Sequence, residues 1–332
     1  MRWAGMVWMI MAIDWRMASI CTRSLLTTAM SSGRSCSASS SCNDGRSERM
    51  SLQNMTSMLQ RAQKNGYAVG AFNIVDYNSM RAVIDAAEEL RAPVIVQTSV
   101  KTVLFWGYEA VMSWMTQLTQ QAAIPVAIHV DHCTDIEVIK RCIDAGWTSV
   151  MIDASAKPFA ENIRLTRQVL DMTASCGVSV EAELGAIVGV EDDIHVKAQE
   201  AHLADPDQAA QFCHELQLDC FAPAVGTAHG VYKGEPKIAY DLIKEIAART
   251  GVPLALHGGT GLSDAVFRKC IGLGCAKVNI STQLKYAHID GFVNYHQENK
   301  VYNPLKPLAA QYNALKAAVA ENIKLFGGAG QA

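Results

Sequence analysis

Between residues 68 and 280 the chain repeats one pattern eight times: a short, almost wholly apolar run, then a segment with apolar residues at helical spacing. The runs fall at 68–74, 93–99, 124–128, 149–153, 178–183, 219–225, 253–257 and 276–280. Such runs, rich in Val, Ile and Ala, read as strands buried on both faces, which requires a parallel sheet covered by helices. Regular β-then-α order allows a doubly wound open sheet or a closed barrel. Eight units of this size, with a polar residue at nearly every strand end, favour the α/β fold of a (β/α)8 TIM barrel. Helical spacing over 283–297 and 307–325 adds extra C-terminal helices.

Half of the 332 residues are apolar and 18% are charged, so one large core can form without staples. A formal net charge of −3 gives no reason to expect a nucleic-acid or anionic-membrane partner. The ten cysteines have no C-x-x-C spacing and read as reduced core residues of a cytoplasmic protein. No apolar run reaches the roughly 18 residues of a membrane span. Residues 1–49 are different in kind. They are rich in Arg and Ser, hold no Lys or His and only three acidic residues, and read as a non-native or disordered extension ahead of a natural start at Met50. A transit peptide has similar composition. Residues 50–332 are then one barrel domain.

Three of the strands end on histidine: His129-Val130-Asp131-His132, Ala228-His229-Gly230 and Leu256-His257-Gly258. In a barrel all strand C-termini open onto one face, the face that carries chemistry. Asn73, Ser99, Asp131, His132, Asp153, Glu183, His229, His257 and Asn279 all fall there. Three imidazoles with an open fourth position suit a catalytic divalent ion, and His132, His229 and His257 are the predicted set. His129, two residues back from Asp131, reads as buried support. His195, His202, His214, His288 and His296 read as solvated, and a Cys133 thiolate ligand would make the site too closed. The glycine-rich turn Gly258-Gly259-Thr260-Gly261 and the segment Asn279-Ile280-Ser281-Thr282 follow the last two strands, where barrels hold phosphate on backbone N–H groups. The long polar connection 185–204 carries Gly189-Val190-Glu191-Asp192-Asp193, and a loop of that length is usually functional.

Taken in order, Asp131-His132, Glu181-Ala182-Glu183-Leu184-Gly185, Gly189 to Asp193, Gly226 to Gly230, His257 to Gly261 and Lys277-Val278-Asn279-Ile280 resemble the class II, metal-dependent ketose-bisphosphate aldolases, nearest to the tagatose-bisphosphate branch. The resemblance implies Zn2+ on His132, His229 and His257, with Asp153 and Glu183 at an auxiliary divalent site and a monovalent cation, Na+ or K+, nearby. It implies that the ion polarises a ketose carbonyl and stabilises the enediolate left by C–C cleavage. Asp131 matches the residue that exchanges a proton with the C4 hydroxyl. Glu191 matches the loop acid that protonates the carbanion. Asn73, Ser99, Gly230, Gly258, Gly259, Thr260, Asn279, Ser281 and Thr282 match substrate and phosphate contacts. A phosphorylated sugar and a homodimer or homotetramer are implied as partners. One motif departs: where the family has Asp-Pro-Arg for the second phosphate, this chain has Asn303-Pro304-Leu305-Lys306. Lysine, one position late, offers no bidentate fork. Another phosphorylated sugar or sugar acid is therefore a second expectation. A Schiff-base aldolase using Lys277 or Lys233 and a non-catalytic partner subunit are the rivals.

Overall fold

A computed structural model describes residues 51–191, 194–196, 202–230 and 236–332. The chain divides into Met1–Ser47 and Glu48–Ala332, and every described residue belongs to the second unit. The expected extension over residues 1–49 lies outside the described residues.

Eight parallel strands close into a barrel. In chain order these are β1 (Val69–Ile74), β2 (Val94–Ser99), β3 (Val126–Cys133), β4 (Ser149–Ile152), β5 (Ser179–Leu184), β8 (Cys220–Pro223), β10 (Leu254–Leu256) and β11 (Cys275–Ile280). Each pairs with its neighbours in sequence order, and β1 meets β11 to complete the ring. Between β5 and β8 the expected long loop instead forms a hairpin, β6 (Val188–Glu191) with β7 (Ile194–Val196). A short strand, β9 (Ala228–His229), joins β6 in parallel. Polar composition hid this hairpin, because its strands are short and form outside the barrel core.

The barrel lumen is layered by the two-residue repeat of the strands. At the N-terminal mouth small inward residues (Val69, Ala71, Ile95, Ala127, Ala222, Ala255) pack on Met55, Met58, Leu59 and Ala62. The last three belong to helix α1 (Thr56–Asn65), which closes that end. Burying a Met or Leu there stabilises by about 1.5–3 kcal/mol each. Outward residues of the same strands, including Phe72, Val96 and Ile128, form the second core against the helices. One step above the small layer the lumen turns polar, with Gln97, His129, Glu181 and Lys277 all fully buried. The next step brings Asn73, Asp131, Glu183 and Asn279 to the C-terminal mouth.

Helix α2 (Tyr77–Glu89) starts after Asp76, because Asp76 accepts from Ser79 N and the Ser79 side chain closes a capping box. Two helices follow β2, α3 (Val100–Trp106) and α4 (Tyr108–Thr119), parted at Gly107 with φ +91°. The next helices around the barrel are α5 (Ile136–Ala145), α6 (Phe159–Thr173), α7 (Pro206–Leu216), α8 (Tyr240–Thr250) and α9 (Asp264–Gly272). The extra C-terminal helices α10 (Thr282–Asn299) and α11 (Leu305–Leu325) lie against each other. A Cβ at Gly291 would come within 2.9 Å of Gln311 Cα, so that close approach requires glycine. Among the described residues no helix is long and apolar enough to cross a membrane.

Candidate active site

The C-terminal mouth brings the predicted histidines together. Nitrogens of His132, His229 and His257 lie within 4.8 Å of one another, and so do ligand atoms of His132, Asp153 and Glu183. His257 Nδ1 lies 2.9 Å from His132 Nε2, and their ring centroids are 4.6 Å apart. The ring of His229 is centred 5.0 Å from that of His132. His132 turns its other nitrogen, Nδ1, to Asp153 Oδ2 at 2.8 Å. His257 turns Nε2 to Glu181 Oε1 at 2.8 Å, leaving Nδ1 3.4 Å from Glu183 Oε2. Each of these two rings is thus oriented by a carboxylate on one nitrogen while the other faces the cluster, an arrangement common to metal-binding histidines. Clustered imidazoles and carboxylates fit a divalent ion.

Asp131 and His132 are adjacent, and neighbours in a strand ordinarily face opposite ways. Both reach the mouth here because the β3–β4 register shifts between Val130 and Cys133 and His132 takes φ +45°. A non-glycine residue held in the left-handed region costs about 1–3 kcal/mol and marks a position that the surrounding packing dictates. No sequence pattern announces it.

Asp131 is held from both sides. Asn73 Nδ2 donates to Oδ2 at 3.0 Å and Asn279 Nδ2 donates to Oδ1 at 3.1 Å. Gln97 Nε2 donates to Asn73 Oδ1 at 2.9 Å, which fixes the Asn73 amide with its nitrogen toward Asp131. Burial alone would raise the Asp131 carboxyl, but the charges of His132, Lys277 and His257 outweigh it and hold it at about 2. Burial also raises Glu183, and neighbouring Asp153 adds to that rise. Burial opposes charge on His132, yet Asp131, Asp153 and Glu183 raise it well above the ordinary value; His229, desolvated and beside two other imidazoles, is pushed well below it.

The remaining predicted residues are placed as follows. Ser99 caps α3 by accepting from Thr102 N at 3.3 Å. Thr260 Oγ1 accepts from Gln283 N at 3.3 Å, tying the Gly258–Gly261 turn to the first turn of α10. Gly258 sits at φ +67°, where a Cβ would meet Ala228 O at 2.5 Å. Gly259 has Asn279 O 2.9 Å from the same position, and Gly230 lies at φ +86°. The Ser281 hydroxyl is buried with no hydrogen-bond partner among the described residues, and Thr282 opens α10. Glu191 ends β6, whose register sets Gly189 opposite His229. The Glu191 side chain, Asp192, Asp193, the His195 side chain and Lys233 lie outside the described residues.

His129 is fully buried, 2.7 Å from Ser149 Oγ, and burial pulls it down to about 3, in line with a neutral support. His202 and His214 are exposed, as expected. His288 corrects an expectation: it is not simply solvated, because α10 turns it back over the mouth, with Nε2 3.9 Å from Asp76 Oδ2 and only 17% of its side chain exposed. Cys133 donates Sγ–H to Asp135 O at 3.3 Å and stands outside both ligand clusters; burial raises it to about 11. Seven cysteines among the described residues are free, all buried except Cys176. Glu181 and Lys277, the latter expected only as a Schiff-base rival, form a buried pair that the sequence reading does not join. Its signal was the two-residue step below Glu183 and Asn279.

An eight-stranded barrel with polar, titratable side chains converging at its strand C-termini is the architecture of an enzyme. The family model for class II fructose-bisphosphate aldolase matches residues 53–331, and the chain belongs to that family, whose members are carbon–carbon lyases. It is 40% identical over 287 residues to a fructose-bisphosphate aldolase of Geobacillus stearothermophilus, covering 85% of this chain and 99% of the relative. It is 37% identical over 271 residues to a sulfofructosephosphate aldolase of Alkalicoccus urumqiensis, covering 81% and 94%. The crystal structure of the YdjI aldolase from Escherichia coli superposes with a TM-score of 0.75 at 36% identity, covering 85% of this chain and 99% of that one.

Proposed function

We propose that this aldolase reversibly cleaves a phosphorylated ketose of the fructose or tagatose 1,6-bisphosphate type to dihydroxyacetone phosphate and an aldehyde such as glyceraldehyde 3-phosphate. The observation that carries the proposal is the convergence of His132, His229 and His257 within 4.8 Å beside a carboxylate gripped by two amides. His132, His229 and His257 would hold Zn2+, with Asp153 and Glu183 available to an auxiliary divalent ion and a monovalent cation near the phosphate. Bound there, zinc would supply Lewis acidity to the substrate carbonyl.

The chain's own residues do the rest. Asp131 is ionised, the form that accepts a proton from the substrate C4 hydroxyl as the adjacent bond breaks and returns it in the reverse direction. The Asn73 and Asn279 amides orient the carboxylate, and the charges around it keep it anionic. Glu191, at the end of the strand whose Gly189 lies opposite His229, delivers the proton to the nascent dihydroxyacetone phosphate. Gly230, Gly258, Gly259, Thr260, Ser281 and Thr282 bind the phosphate with backbone N–H groups and hydroxyls, and Ser99 borders the ketose. The Schiff-base reading is disfavoured because Lys277 is buried and ion-paired with Glu181 at 2.8 Å, and its raised pKa, set by Glu181 against burial, keeps it protonated.

A second substrate reading rests on Leu305-Lys306 and on the sulfofructosephosphate aldolase relative: the group distal to the retained phosphate is one other than a second phosphate. The non-catalytic partner-subunit reading expects a decayed cluster, contrary to the intact donor set. As an aldolase the chain would be a cytoplasmic homodimer or homotetramer, which sedimentation would test. The deciding experiment assays cleavage of fructose and tagatose bisphosphates, sulfofructose 1-phosphate and ketose monophosphates with and without excess EDTA. Loss of activity on chelation and recovery with Zn2+ is the expected result. Undiminished cleavage in EDTA would refute the metal reading.

A further inference from the structure

Directly beneath the histidines, the barrel lumen holds two opposite charges with no access to solvent. Glu181 projects inward from β5 and Lys277 from β11, and Lys277 Nζ lies 2.8 Å from Glu181 Oε2. Each is two residues below a residue of the mouth, Glu183 and Asn279, so the strand repeat puts both one layer down. The other carboxylate oxygen, Oε1, accepts from His257 Nε2 at 2.8 Å. His129 stands on the far side with Nε2 3.7 Å from Oε2, and its ring is pinned at 2.7 Å to Ser149 Oγ. Glu181 is therefore held at both oxygens, by His257 and by Lys277, with His129 close behind. Neither Glu181 nor Lys277 faces the space a sugar would occupy, and the cleavage chemistry gives neither a task.

Burying a carboxylate and an ammonium in a lumen closed to solvent is costly, and a well-packed apolar pair of similar volume would serve stability at least as well. The geometry points to a different role: we propose that Glu181 is the positioning residue for His257, and that Lys277 acts through it. Oε1 fixes the His257 proton on Nε2 and so presents the Nδ1 lone pair to the divalent ion. A carboxylate bound only to a histidine could swing away or pair elsewhere. The Lys277 ammonium holds the second oxygen and compensates the charge, so the ring has one orientation before any metal arrives. Asp153 does the same for His132 from the mouth side, but it is a candidate ligand itself; Glu181 and Lys277 have only this task.

The inference rests on the metal reading of the site and is tested on the full-length protein by two measurements. The first is Zn2+ affinity by competition with a chromophoric chelator, for the parent, Glu181→Gln, Lys277→Met and the double variant, each checked for fold by circular dichroism. Loss of an outer-shell carboxylate partner typically weakens metal binding about 10–100-fold, and Glu181→Gln is expected in that range. Lys277→Met is expected to weaken binding as well. The double variant is expected to be no weaker than the weaker single one, because both act through one carboxylate. The second measurement is the 15N spectrum of His257 in the zinc-loaded parent, expected to show N–H at Nε2 and coordination at Nδ1.

Parent-like zinc affinity in Glu181→Gln, even with a lowered melting temperature, would make the pair purely structural and overturn the proposal. Coordination of His257 through Nε2 would do the same. Fully additive effects in the double variant would remove Lys277 from it. If Glu181→Gln does not fold, Glu181→Asp, which withdraws the carboxylate by one methylene, is expected to weaken zinc binding, and unchanged binding overturns the proposal. A parent that binds no zinc refutes the metal reading itself, an outcome distinct from a parent that binds and a variant that binds equally well.

Discussion

Replacing Asp131 by alanine separates proton transfer from metal binding. In the folded protein the carboxylate accepts from Asn73 Nδ2 at 3.0 Å and Asn279 Nδ2 at 3.1 Å, while His132 Nδ1 and His257 Nε2 are oriented by other carboxylates, Asp153 and Glu181, each at 2.8 Å. The substitution therefore leaves two buried amide donors unpaired, at about 1–3 kcal/mol each, partly offset because an anion no longer has to be desolvated. A net stability loss of about 2 kcal/mol is expected, too small to unfold a domain of this size. The effect on rate is larger. A lost general acid or base lowers the rate by about 10²–10⁴-fold, equivalent to roughly 3–5 kcal/mol of barrier. Asn73→Ala and Asn279→Ala should each fall short of that, since one amide still holds the carboxylate. The assay couples dihydroxyacetone phosphate release to NADH oxidation and measures zinc content in the same samples. An unchanged rate in Asp131→Ala would refute its role. A rate loss matched by loss of zinc would show that Asp131 serves the metal site instead.

Three further outcomes are expected. In metal-free protein, Glu181 and Glu183 outweigh burial and raise His257 to about 9 from an ordinary 6.5; because the folded value is the higher one, its stabilisation, about 3 kcal/mol, is complete below pH 6.5 and is lost as the pH rises through 9. Denaturant melts of EDTA-stripped protein at pH 6 and 9.5 check this, and equal stabilities would contradict it. Gly258→Ala forces a Cβ to 2.5 Å from Ala228 O at φ +67°, whereas Gly66→Ala at φ +72° meets nothing within 4 Å. Thermal melts should therefore show Gly66→Ala losing only the left-handed penalty, about 1–2 kcal/mol, and Gly258→Ala losing more together with substrate affinity. Borohydride added with substrate should leave activity intact, because Lys277 is sealed in an ion pair; irreversible inactivation with label on Lys277 would establish the Schiff-base route.

Much of this molecule is legible in one dimension because its strongest signals are local. Alternating apolar runs and helical segments specify the parallel barrel, Asp76 and Asp205 cap the helices that follow them, and histidines at strand ends reach a common mouth in any closed barrel of this kind. The short helix α3 was not legible, since it is a single segment of seven residues set between Ser99 and Gly107.

What tertiary structure alone decided is which partner each polar group takes. Asn73 and Asn279, expected to touch substrate, spend their amide donors on Asp131 across sequence separations of 58 and 148 residues. Glu181 meets His257 across 76, and those pairings exist only because ring closure sets strand registers that no local pattern encodes. His132 faces the cluster only because a register shift and a left-handed backbone turn it there. The sequence determined that histidines and carboxylates would gather at the barrel mouth. Long-range strand pairing in a low-dielectric lumen determined which side chains face the ligand and which ones hold them in place.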